Sequence, residues 1–337
     1  MAELCSIALL LYSVNVANAK RGARFRPEYP RIVPIPPSTP PLRLPRSEWL
    51  ERERAHQDRA DAATRGRRER AGSGRTHPVD DFLFTYYPFR PGLLRRWHPG
   101  ANVVLENAAH EERASWKWYL PDGDDVSVDV AAFHTRNERS IRFIVGLLTR
   151  TAQRAGNFGC FGLHEWAMVY RQGEHRHESP LRLSQGDTDA VVESHRISCT
   201  HFDAFRFFTP AAVDLNAEQA HPVLPSRENQ PVLEQPGCLH AGMDVYKWAI
   251  KLGPLIPGDL LLDCFDLARD IRELDMQASP YDLADWGTVP VAIETPAGKA
   301  EYVRRQRGFT ERSNELRARV VAAVTPGRAA ESVPGLR

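Results

Sequence analysis

No stretch of this chain approaches the roughly 20 consecutive apolar residues that a helix needs to cross a bilayer, which argues against a membrane-spanning body. Cysteine is sparse: Cys5, Cys160, Cys199, Cys238 and Cys264 include no C-x-x-C pair. That spacing argues against a structural zinc knuckle, and the odd count suits reduced thiols in a cytoplasm. Lysine is confined to Lys20, Lys117, Lys247, Lys251 and Lys299, so arginine carries nearly all the positive charge, a bias that a GC-rich genome produces. There is no internal repeat.

What is present suits a single large globular domain: 337 residues, 42% hydrophobic and 26% charged. The net charge of +1 is unevenly spread. Residues 1–75 hold 15 Lys and Arg against 8 Asp and Glu, and residues 76–337 hold 29 against 35. A basic segment at 43–75 therefore precedes a mildly acidic body, and any contact with DNA phosphates is expected there. Residues 1–19 resemble a weak signal peptide with the wrong n-region charge, or a start placed too far upstream.

Residues 20–46 are rich in Pro and Arg, so 1–46 reads as an extended leader, 47–324 as the folded body and 325–337 as a tail. The body is expected to be mainly α, with long ordered loops and at most a minor β element. Ser47 is placed to cap a charged, solvated helix over Glu48–Arg70. Apolar spacing predicts further helices at Leu93–Trp97, Arg136–Ala155, Leu163–Arg171, Leu239–Leu252, Pro257–Ala278 and Lys299–Ala323. Val126 to Val130 alternates as a short strand, while 173–194 and the Pro-rich 210–236 read as loops.

Polar, ionisable residues recur inside these apolar contexts, a pattern typical of functional sites. His240 and Asp244 are four apart and face the same way on one helix, with Lys247 on that stripe. His164 and Glu165 are adjacent at a helix start, but Met168 stands where a zincin would carry its second His. His195, Cys199, His201 and Asp203 fall within nine residues beside a run of phenylalanines. The loop His175–Glu178 reads as solvated surface. Asp263, Asp266, Asp270 and Glu273 form a solvated helix face, or else the alternating charges of Arg269–Asp275 at the end of that helix form a buried ion-pair network shaping the site.

The segments Asp80–Tyr87, Leu94–Gly100, Ser198–Thr209, Gln235–Asp244 and Asp270–Asp275 resemble those of actinobacterial proteins labelled 3-methyladenine DNA glycosylase, and the resemblance spans about residues 45–320. It implies a cytoplasmic DNA-repair hydrolase that cleaves the N-glycosidic bond of an alkylated base without metal. No Gly-rich helix-hairpin-helix loop with its catalytic Asp is present. In such a reaction a carboxylate activates water and stabilises the oxocarbenium-like sugar. Asp244 is the first candidate, oriented by His240, and Glu165 beside His164 is the second. Candidate substrate-binding groups are Tyr86, Tyr87, Arg90, Trp97, His98, His201, Asp203, Tyr246, Lys247, Asp270, Arg272 and Tyr281, several of them aromatics suited to stacking a cationic base.

Two other readings stand beside this one. His164, Glu165, His201, His240 and Asp244 offer a nitrogen and oxygen set for iron, manganese or zinc. The same residues could also be a buried polar network in a non-catalytic binding protein.

Overall fold

The computed structural model describes residues 40–173, 179–219 and 223–325. The expected leader up to residue 39, the loop His175–Glu178 and the tail beyond 325 lie outside the described residues.

The architecture is mainly α, as the periodicity predicts. In chain order the elements are β1 (Leu42–Leu44), α1 (Arg46–Arg70), α2 (Phe82–Tyr86), α3 (Pro91–Leu94), β2 (Val103–Leu105), β3 (Tyr119–Asp122), β4 (Asp125–Val128) and α4 (Val130–Gln153). They continue with α5 (Leu163–Ala167), α6 (Gln185–Glu193), α7 (Phe202–Phe205), α8 (Pro210–Gln219), α9 (Gln230–Leu233), α10 (Leu239–Lys251), α11 (Gly258–Gln277) and α12 (Pro296–Val324).

Helices α10, α11 and α12 pack against one another at the centre, with α4 against α12 and α1 against α11. Gly242 lets α10 and α11 approach closely, because a Cβ there would sit 2.8 Å from Ile271 Cδ1. Helix α10 is buried along almost its whole length, from Leu239 to Tyr246. Its polar residues are therefore interior groups that must find partners within the protein.

The β element is larger than the alternation predicts. Four short strands form one sheet in the order β1-β2-β4-β3, with β1 parallel to β2 and the other pairs antiparallel. Strand β1 lies inside the expected leader, and Leu44 is core. Strands of three or four residues are too short for a period to register.

Helix boundaries also shift. Helix α1 begins at Arg46 with Pro45 before it and no side-chain cap, so Ser47 lies inside the first turn. Helix α4 starts at Val130 because the Asp129 side chain accepts from Ala132 N at 2.9 Å. Helix α5 stops at Ala167. The expected loop at 173–194 contains α6, whose Ser184 cap accepts from Asp187 N at 3.1 Å. The 210–236 connection contains α8 and α9. Proline stands at the first position of α8 and the second of α9, near the helix start where its missing N–H costs least.

Helix α1 is not simply a solvated element. It buries Trp49, His56, Ala60 and Thr64, and its Arg59 reaches Asp263 and Asp266 on α11. Asp263 also pairs with Arg319, and Asp270 with Arg312. The acidic face of α11 is thus a partly exposed ion-pair seam against α1 and α12.

Candidate functional site

Helices α5, α10 and α11 and the loop before α7 converge on one buried polar cluster. His164, on α5, is 2.8 Å from Asp275 on α11 through Nε2 and Oδ1. Asp275 Oδ2 accepts from Arg272 Nη1 at 2.8 Å, and the same nitrogen donates to Glu165 Oε1 at 3.0 Å. The Arg272 guanidinium also lies 3.8 Å from the centre of the Phe82 ring. The His164 ring stands edge-on to His240 with centroids 4.6 Å apart, and His240 lies 5.4 Å from His201.

His201 leads to a second carboxylate group. Its Nε2 is 3.4 Å from Asp244 Oδ2 and 3.9 Å from Glu234 Oε2. Asp244 accepts from Tyr87 Oη at 2.6 Å and from Lys247 Nζ at 2.6 Å, and Lys247 also donates to Asp203 at 3.2 Å. Arg317, fully buried, donates to the carbonyl of Ala241 at 2.8 Å, and burial lowers its guanidinium to about 10.

The two neighbouring histidines are pushed in opposite directions. Burial opposes the charge on His164, but Asp275 outweighs it and raises the imidazole well above its usual value. Burial, reinforced by the positive charge on His164, drives His240 well below. Burial would raise the carboxyl groups of Asp275 and Asp244. The His164 imidazolium reverses this for Asp275, and Lys247 with His201 for Asp244, so both fall below the usual carboxylate range. Burial raises Glu234.

These shifts set the dependence of stability on pH. His240 is neutral in the fold and takes up a proton on unfolding, so its contribution is lost as the pH falls below about 6.5. His164 is charged in the fold, so its contribution is full below about 6.5 and is lost as the pH rises towards its raised value. Asp244 and Asp275 add a further loss below about pH 4. Stability measured by urea unfolding is expected to peak near pH 6.5. A curve still rising at pH 8 would mean that His164 is not held protonated.

A small crevice opens beside His164 and His240, walled by Cys160, Ser198, Cys238, Tyr302 and Gln306 among others. The volume open to the centre of a water molecule is about 10 Å³, room for about one water. One group of three ligand-type residues among the described residues has atoms within 4.8 Å of one another: His164, His240 and Asp275.

The site differs in membership from the sequence reading. It brings together His164, Glu165, His201, Asp203, His240, Asp244, Tyr87, Lys247 and Arg272, with Tyr246 stacked edge-on behind Tyr87 and Tyr86 beside it. His240 does not orient Asp244: its ring faces His164 and His201, and Asp244 is held by Tyr87 and Lys247. Asp244 is wholly buried with both oxygens engaged, which leaves it poorly placed to activate water. Of the five residues expected to bind metal, only His164 and His240 fall in that group of three, with Asp275; Glu165 and Asp244 are engaged by cations, and His201 lies with Asp244 and Glu234.

Other expected binding residues serve the scaffold. Trp97 packs on Arg113, and His98 Nδ1 bonds Tyr119 Oη at 2.7 Å. Asp270 belongs to the ion-pair seam, Tyr281 to a separate small core with Val79 and Met276, and Arg90 is exposed at the start of α3. The basic segment is also committed: Arg43, Arg46, Arg52, Arg59, Arg67, Arg68 and Arg70 each pair with a carboxylate of the protein itself. These are seven of the ten arginines in 43–75, so much of its charge is offset within the protein.

Glu234, Cys160 and Gln306 are the members that sequence reasoning missed, and Asp275 was expected in a buried ion-pair network but not as the partner of His164. Asp275 carried a signal, three residues after Arg272 within a conspicuous charged run. Among the described residues no helix is long and apolar enough to cross a membrane. No protein-family model, curated protein or solved structure matches this chain.

Proposed function

We propose that this chain is a hydrolase whose acid and base are the neighbouring imidazoles of His164 and His240. What supports this is two imidazoles 4.6 Å apart at the wall of a crevice, one pushed up by Asp275 and the other pushed down by burial. Paired titratable groups pushed in opposite directions divide acid and base roles between them. Neutral His240 takes the proton of a water in the crevice, and the His164 imidazolium hydrogen-bonds the departing atom. Asp275 orients His164 and keeps it charged.

The bond cleaved is assigned by the sequence resemblance: the N-glycosidic bond of an alkylated base in DNA. A base is far larger than the one water the crevice accommodates, so binding requires its walls to part. The test is release of free 3-methyladenine from methylated DNA by the full chain. Elemental mass spectrometry of the same protein and of His240→Ala accompanies it. Released base with no bound metal supports the reading. Near-stoichiometric iron, manganese or zinc that the substitution removes replaces it with metal-assisted hydrolysis. Release of no base leaves the buried cluster as a structural network or assigns it another substrate.

A further inference from the structure

Cys160 sits on the turn 157–162 that leads into α5. The side chain of Asn157 accepts from Gly159 N at 2.9 Å, and Phe161 and Gly162 follow with φ of 48° and 74°. Two successive left-handed residues reverse the chain, which a non-glycine such as Phe161 adopts only at a cost. The reversal brings Cys160 Sγ to 3.7 Å from His164 Nδ1, while the opposite ring nitrogen is 2.8 Å from Asp275 Oδ1. A thiol, an imidazole and a carboxylate in that order have the connectivity of a nucleophile, its base and the group that orients the base.

Two further observations point the same way. Cys160 and Cys238 are both partly exposed at the crevice and Cys199 is buried, and burial pushes up the thiols of Cys199 and Cys238. Gln306, 1% exposed, also lines the crevice. Its Nε2 donates to Gly237 O at 2.6 Å, but its Oε1 is buried without a hydrogen-bond partner. A ligand N–H or O–H entering the crevice would satisfy that oxygen.

We infer that Cys160, His164 and Asp275 form a nucleophilic triad that gives this chain a thiol-dependent acyl hydrolase or acyl-transfer activity. The substrate class is a small activated acyl compound, an ester or thioester. Cys160 reacts as the thiolate paired with the His164 imidazolium, and Sγ forms a bond to the acyl carbon. The bond from that carbon to the leaving oxygen or sulfur breaks, and the leaving group takes the proton of His164 Nδ1. Water then cleaves the acyl thioester, giving one proton to His164, releasing the acid and restoring the thiolate–imidazolium pair. This activity goes beyond the acid–base reading and does not depend on which bond His240 hydrolyses.

The test treats the full chain with p-nitrophenyl acetate at pH 7, quenches in acid and maps acetylated peptides. A stoichiometric burst of nitrophenolate is expected, with acetyl on Cys160 formed at least about tenfold faster than on Cys238 or on Cys160 of the urea-unfolded chain. Cys160→Ala removes the burst, and His164→Gln, which keeps the thiol, slows acetylation by more than about tenfold. Wild-type selectivity needs no variant to fold. Acetylation of Cys160 at the unfolded rate, or equally on Cys238, overturns the proposal.

Discussion

Asp275→Asn is expected to destabilise the protein by about 3–5 kcal/mol, the cost of breaking a buried ion pair on one side only. The substitution keeps shape and volume, so the loss is one of charge. Asp275 is 1% exposed and accepts from both His164 and Arg272. An amide can accept from one of them, but it turns its own donor towards the other and leaves a buried cation without its counter-charge. Against a total stability of about 5–15 kcal/mol for a domain, this is a large fraction. Urea unfolding of wild type and variant at pH 7 measures it. Asp270→Asn on the same helix is the internal contrast. Its pair with Arg312 is more than a third exposed on both sides, so about 0–1 kcal/mol is expected. Equal effects at the two positions would mean that the interior pair is not the strong one.

His240→Gln is expected to lower base release by about two to four orders of magnitude with little effect on folding, the usual contribution of a positioned general base. The neutral ring is held by edge-on contact with His164 and by α10, so an uncharged amide of similar reach disturbs the packing little. An unfolded variant would point to a structural role for His240, and a folded, fully active one would remove it from the chemistry. Asp244→Asn separates this assignment from the one suggested by sequence alone. Both Asp244 oxygens are engaged by Tyr87 and Lys247, so its loss should act through stability and should leave kcat of the folded fraction nearly intact.

Much of the helical frame could be read from local pattern. The spans of α10, α11 and α12 follow from a 3.6-residue apolar period, set by residues that are neighbours in the chain. The same logic finds the polar stripe on α10, because residues four apart share a face. It cannot say what that face meets. His164 and Asp275 are separated by 111 residues, and Tyr87 and Asp244 by 157. Such pairings are decided by how α5 and α11 dock, which no local period encodes. For that reason the sequence by itself placed His164, His240 and Asp244 in buried helices and identified them as unusual. Only the tertiary structure set Asp275 against His164, turned His240 away from Asp244, and brought Cys160 to the same imidazole. The physical reason is that a buried charge must be compensated by whatever group the packing brings within a few ångströms, and sequence distance plays no part in that.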